Sequence, residues 1–217
     1  MKKSDKAVEV LARLRHQFPD AHCELDHESP FQLLIATILS AQCTDVRVNM
    51  VTPHLFKRFP TPKKLAHADQ EEVEEIIRST GFYKNKAKNI IGCAQALIEN
   101  HGGEIPRTID ELAALPGVGR KTANVVLGNC FNINEGFVVD THVKRITALL
   151  GFTKATDPEK IEQDLMKLVP QDQWCEASHL IIFHGRRTCI ARRPQCELCT
   201  LADLCPSKGK TARAKRA

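Results

Sequence analysis

Apolar residues recur along this chain at the spacing of helices. Ala7, Leu11, Leu14 and Phe18 are separated by 4, 3 and 4 positions, which puts them on one helical face, with Ser4 marking its start. Ser29-Pro30 reads as a cap followed by a first-turn proline and opens a helix over 31–40. Thr61-Pro62 repeats the device. Thr108 and Glu111 form a capping box ahead of Leu112 and Leu115, and Thr156-Asp157-Pro158-Glu159 combines a cap, a first-turn proline and a capping-box acid. Stops fall at Gly81, Gly102-Gly103 and Gly151. No stretch alternates apolar and polar residues between hairpin turns, and Phe137-Val138-Val139 is short enough to be a connector. The pattern predicts an all-α chain of about nine or ten helices without a sheet.

The longest nearly apolar run, 33–41, is far short of the roughly 18–20 residues that span a bilayer. The N-terminus, Met1-Lys2-Lys3-Ser4-Asp5-Lys6, is not followed by an apolar stretch, so no signal peptide is expected and the cytoplasm is the expected location. At 217 residues with 42% apolar composition, the chain is long enough for one or two domains with a real core, which excludes a disordered or low-complexity protein.

The net charge of +5 is local. Five of the 31 basic residues (Lys208, Lys210, Arg213, Lys215 and Arg216) lie after Pro206, leaving 26 against 26 acids. Any argument for nucleic acid must therefore come from clusters: Lys84, Lys86 and Lys88; Arg120-Lys121; Lys144-Arg145; Arg186-Arg187; Arg192-Arg193. Each could equally be a solvated helix face. The tail 207–217 reads as a basic disordered end.

Nine cysteines, an odd number, in a chain without an export signal argue against a disulfide framework. Cys23, Cys43, Cys93, Cys130 and Cys175 are scattered in apolar segments and read as buried small hydrophobes. The other four crowd into Cys189-x6-Cys196-x2-Cys199-x5-Cys205. Structural zinc usually takes two close pairs, whereas this run has one pair and two outlying cysteines. A cubane iron–sulfur cluster, wider than one ion, fits such a loop better. Arg192 and Arg193 lie inside it, without an acid between the first two cysteines.

In the stretch from Leu115 to Ala123, Leu-Pro-Gly-Val-Gly-Arg-Lys-Thr-Ala, a capped helix runs into a Pro-Gly-x-Gly turn and a second helix follows at once. Glycines at 117 and 119 permit a tight turn with bare backbone, and the following helix N-terminus attracts phosphate. That is the physics of a helix–hairpin–helix, which holds DNA through its backbone and reads no bases. Glycines also serve plain helix–helix connections; the flanking Leu-Pro and Arg-Lys-Thr-Ala favour the DNA reading. Lys121, at this helix start directly after the turn, is a candidate Schiff-base nucleophile, although a lysine is more often simply solvated. Asp140, in Val139-Asp140-Thr141-His142, opens another helix, where its plain role is an N-cap.

These strings, with Leu39-Ser40-Ala41-Gln42-Cys43-Thr44-Asp45 and His184-Gly185-Arg186, resemble the endonuclease III family of helix–hairpin–helix DNA glycosylases from about Ser4 to Cys205. The resemblance implies a six-helix barrel over 23–134 and a helical iron–sulfur domain from 1–22 with 135–206, with a cleft between them. It implies a 4Fe–4S cluster on Cys189, Cys196, Cys199 and Cys205, with Lys121 and Asp140 as the catalytic pair. The implied activity is base-excision repair: removal of oxidised pyrimidines from duplex DNA, then β-elimination 3′ to the abasic site through a lysine Schiff base. Gln42 matches the family's gap-filling glutamine. Gly117, Val118, Gly119, Arg120, Arg192 and Arg193 would hold phosphates. The wedge position, usually leucine, is Phe82, and Cys43 stands where a small residue or threonine is usual. The resemblance says nothing of the tail, and it implies a monomer without membrane association.

Two other readings compete. A monofunctional adenine-mismatch glycosylase shares the cluster, but it lacks a lysine at the position of Lys121 and has a longer chain. A non-catalytic DNA-binding iron–sulfur module would not need both Lys121 and Asp140.

Overall fold

The computed structural model describes residues 1–209, so residues 210–217, most of the basic tail, lie outside it. All regular structure among the described residues is helical. Among the described residues eleven α-helices form, one or two more than the pattern predicts. The chain divides into two compact units, residues 23–135 and residues 1–22 together with 136 onward.

The 23–135 unit is built around α2 (Pro30–Leu39). Ser29 Oγ accepts from the Gln32 N–H at 3.2 Å with Pro30 in the first turn, as the sequence implies. Leu33, Leu34, Ile35 and Leu39 have no exposed surface. A helix apolar on every side must be covered on every side. Here α3 (Asp45–Arg58), α6 (Tyr83–His101) and α8 (Arg120–Phe131) supply that cover. Around them pack α4 (Pro62–Ala66), capped by Thr61, α5 (Gln70–Ile77) and α7 (Ile109–Ala113). A 3-10 turn, Arg78–Thr80, extends α5 and packs against α3.

In the other unit, α1 (Lys3–Gln17) and α9 (Thr141–Leu149) both pack on α11 (Trp174–Arg187), and α10 (Pro158–Met166) completes the core. Ala7, Leu11, Leu14 and Phe18 are buried together with Phe183 and Ile161. Each large side chain among them contributes about 1.5–3 kcal/mol of burial. The Phe18 ring meets Phe183 edge-on at 6.2 Å. Segment 137–139 is a buried connector, with Phe137 1% exposed.

Two predicted caps move. Helix α1 begins before Ser4, whose hydroxyl donates to Asp5 instead. Asp157, not Thr156, caps α10, because Pro158 occupies the first helical position and the residue before it must be the cap. The stops hold: Gly81, Gly102, Gly103 and Gly151 all take positive φ. Of the five scattered cysteines only Cys93 is buried, its thiol pushed up to about 12 by burial. Cys23, Cys43, Cys130 and Cys175 are half-buried rather than core residues.

Candidate functional site

The helix–hairpin–helix forms as read. Thr108 Oγ1 accepts from the Glu111 N–H at 3.3 Å and donates to the Glu111 carboxylate at 2.6 Å, which fixes the start of α7. The turn that follows is tight at one glycine. Gly117 has φ +77°, and a Cβ there would lie 2.9 Å from Asn89 Cβ. Gly119 has open space around its Cα and starts α8, so no side chain caps that helix. Arg120 and Lys121 are exposed in the first turn of α8, at the positive end of its dipole. The turn is less bare than its sequence implies. The Val118 N–H donates to the Leu115 carbonyl at 3.1 Å and the Val118 side chain is buried. It therefore seats the turn in the core.

Two loops of the same unit carry backbone strain. Gln42, between α2 and α3, has φ +53°, and Phe82, just before α6, has φ +49°. Left-handed geometry in a non-glycine residue costs on the order of 1 kcal/mol and concentrates at functional positions. The other such residue among those described, Asn132, is an ordinary helix C-cap. Phe82 is 65% exposed, so its ring is not part of the core. The basic cluster beside it divides: Lys84 and Lys88 are exposed, while Lys86 is 4% exposed and donates to the Thr80 carbonyl at 2.8 Å. Lys86 is not a phosphate contact.

In the other unit Asp140 caps α9, its Oδ1 accepting from the Val143 N–H at 2.7 Å. Arg192 and Arg193 are exposed on the cysteine loop. Arg187 is spent on structure, stacked 4.0 Å over the Phe183 ring and paired with Asp20 at 3.5 Å.

Cys189, Cys196, Cys199 and Cys205 all line one apolar pocket, together with Leu149, Leu150 and Leu201. No three of the metal-binding side chains described converge on a single-ion position. Four sulfurs ringing an apolar cavity fit a group wider than one ion. Burial pushes the Cys189 and Cys199 thiols up, and their neighbouring sulfurs add to this. Arg145 opposes it at Cys189.

Two further side chains reach these sulfurs. Arg145 on α9 lies 3.7 Å from Cys189 Sγ, and His184 Nε2 lies 3.9 Å from Cys199 Sγ. Burial, then Arg145, pulls His184 down to about 4, so its ring is neutral at physiological pH. Its Nδ1 is buried without a partner. Neither role was legible in sequence, where Arg145 was one charge of a cluster and His184 part of a motif. Gly185 also matters, because a Cβ there would lie 2.9 Å from His142 Nδ1. Burial lowers the His142 pKa, with Arg186 and Arg145 adding to that and Asp140 opposing it.

Residues 35–171 match the HhH-GPD superfamily of base excision DNA repair proteins, and residues 189–205 match the iron–sulfur binding domain of endonuclease III. The chain is 57% identical over 205 residues to endonuclease III of Synechocystis sp. (strain ATCC 27184 / PCC 6803 / Kazusa), which covers 94% of both chains. The chain belongs to the endonuclease III family. A second member, from Escherichia coli (strain K12), is 44% identical across 94% of this chain and 97% of its own. A solved non-covalent endonuclease III–DNA complex superposes with a TM-score of 0.93 at 46% identity, over 98% of this chain and 100% of that one. A trapped endonuclease III–DNA covalent intermediate gives 0.92 over the same shares, also at 46% identity. The fold is thus that of the helix–hairpin–helix glycosylases. Among the described residues no helix is long and apolar enough to cross a membrane.

Proposed function

We infer that this chain is a bifunctional DNA N-glycosylase and AP lyase of base-excision repair, acting on oxidised pyrimidines and abasic sites in duplex DNA. The observation that carries the reading is Lys121, an exposed amine in the first turn of α8, directly after an uncapped Gly-Val-Gly turn. The damaged nucleotide leaves the stack so that its sugar can be reached. Lys121 Nζ forms a bond to C1′ as the bond from C1′ to the base breaks. Asp140 stabilises the positive charge that builds on the sugar and takes part in the proton transfers. The sugar ring then opens, the C1′–O4′ bond breaking with a proton taken up by O4′ as the C1′–nitrogen bond becomes an iminium; this acidifies the C2′ proton, and loss of that proton expels the 3′-phosphate.

Gln42 and Phe82 fill the gap that the flipped nucleotide leaves, and their strained backbones support that reading. The backbone from Gly117 to Gly119, with Arg120, Arg192 and Arg193, holds phosphates. Residues 23–134 are the barrel domain with the helix–hairpin–helix, and 1–22 with 135–206 are the iron–sulfur domain. Cys189, Cys196, Cys199 and Cys205 hold a 4Fe–4S cluster, whose iron–sulfur bonds fix the loop bearing Arg192 and Arg193. The protein works as a monomer in the bacterial cytoplasm, on the nucleoid.

The test is borohydride trapping on duplexes bearing an abasic site or an oxidised pyrimidine. A covalent adduct with the wild type and none with Lys121→Gln supports the assignment. Trapping by Lys121→Gln overturns it.

A further inference from the structure

The buried Lys86 beside the strained Phe82 turn is unexplained by phosphate binding. Withdrawing an ammonium from water is costly unless it is well partnered, so Lys86 is a poor way to add surface charge. Its neighbours Lys84 and Lys88 remain exposed on the same helix. We propose that Lys86 is a positioning residue for DNA insertion, its buried ammonium locking the Gly81–Phe82 turn onto the end of the 3-10 turn that precedes it. The proposal rests on the reading of Phe82 and Gln42 as the residues that enter the duplex.

The geometry is specific. Lys86 Nζ donates to the Thr80 carbonyl at 2.8 Å, at the C-terminal end of the run formed by α5 and the 3-10 turn. Terminal carbonyls concentrate the negative end of the helix dipole, where a cation is favoured. The next two residues leave helical geometry altogether, Gly81 at φ +70° and Phe82 at φ +49°. The Lys86 N–H then donates to the Phe82 carbonyl at 3.1 Å. That bond is the first turn of α6, so the side chain of Lys86 fixes the carbonyl before the wedge while the helix it belongs to fixes the backbone after it. Thr80 is 2% exposed, and its hydroxyl donates to the Ile77 carbonyl at 2.8 Å, so the anchor point is itself fixed.

The turn that Lys86 anchors also touches the helix after the second strained loop. Helix α3, which follows directly on Gln42–Thr44, packs against the 3-10 turn. Burial lowers the Lys86 pKa, with Cys43 opposing that shift. A left-handed non-glycine residue persists only where its surroundings hold it there. For Phe82 that restraint is Lys86.

The experiment compares one oligonucleotide carrying an abasic site, as a duplex and as a single strand. Only the duplex needs insertion, while the Schiff-base chemistry of Lys121 is common to both. Lys86→Met keeps the apolar stem and removes the donor. Its duplex cleavage should fall about tenfold or more, with single-strand cleavage within about twofold of wild type, because misplacement of a positioning group costs rate without touching the nucleophile. Lys86→Gln keeps an N–H donor on a shorter arm and should fall between the two; it takes the place of Lys86→Met if the latter does not fold. Equal losses on both substrates, or no loss on either, overturn the proposal. Phe82→Ala separates the layers: full duplex activity in that variant overturns the wedge reading itself, whatever Lys86→Met does.

Discussion

The Arg145 guanidinium donates to the Cys189 carbonyl at 2.6 Å and lies 3.7 Å from the sulfur of the same residue. Its other nitrogen donates to the Gly185 carbonyl at 3.1 Å. Helix α9, capped by Asp140, is thereby tied to the first cysteine of the cluster loop and to α11.

Arg145→Met should loosen that tie. The lost charge-assisted bonds are worth about 2–3 kcal/mol, read as a lower melting temperature. Iron content per chain and visible absorbance should fall with it, because Cys189 is left without its anchor. A variant that keeps full iron and full stability would show the guanidinium to be incidental.

Replacing Cys199 should disorder the loop that carries Arg192 and Arg193. DNA affinity should then fall together with iron content, since those arginines reach phosphates only from a folded loop. Affinity unchanged in an iron-free Cys199→Ser protein would separate the two.

Asp140→Asn tests two roles of one side chain. The cap should survive, since an Asn oxygen can accept from the Val143 N–H as Asp140 does at 2.7 Å. Base release should fall about 10²–10³-fold, or roughly 3–4 kcal/mol, from loss of a charge placed at the sugar. Nicking of a preformed abasic site should fall less, because no glycosidic bond breaks there. An equal fall in both rates, with unfolding, would make Asp140 a cap alone.

The two hairpin glycines should respond differently. Gly117→Ala meets both a positive φ of +77° and Asn89 Cβ at 2.9 Å, so it should cost about 1–3 kcal/mol of stability. Gly119→Ala meets nothing within 4 Å, so stability should change by less than about 1 kcal/mol. Its methyl group would stand where a phosphate approaches, and DNA affinity should drop nonetheless. Unaltered affinity would remove the backbone of Gly119 from the interface.

Salt dependence should identify the lysines that touch DNA. Lys84→Ala and Lys88→Ala should each reduce the log–log slope of binding by about 1, whereas Lys86→Met should leave it unchanged. A reduced slope for Lys86→Met would place its ammonium on a phosphate after all. Deleting 207–217 should weaken non-specific binding more than single-turnover cleavage of a bound lesion.

Much of this molecule is legible in its sequence because the deciding interactions are local. A helix cap joins residues three apart, so Ser29, Thr61 and the Thr108–Glu111 pair could be read off the chain. The same holds for the Gly117 turn and for the cysteine spacing, which restricts what the loop can surround. Even here one neighbour changes the outcome: Pro158 moves the cap of α10 from Thr156 to Asp157. Tertiary structure alone decided the fate of the charges. Lys84, Lys86 and Lys88 are the same residue type within one helix, yet only Lys86 lies inward, because its place on the α6 face turns it toward the end of α5. Arg187 became a stacked ion pair and Arg145 an anchor of Cys189, each through a partner more than forty residues away. A sequence states which charges exist; whether water or a carbonyl surrounds each one depends on long-range packing, and that difference in solvation separates a DNA contact from a strut.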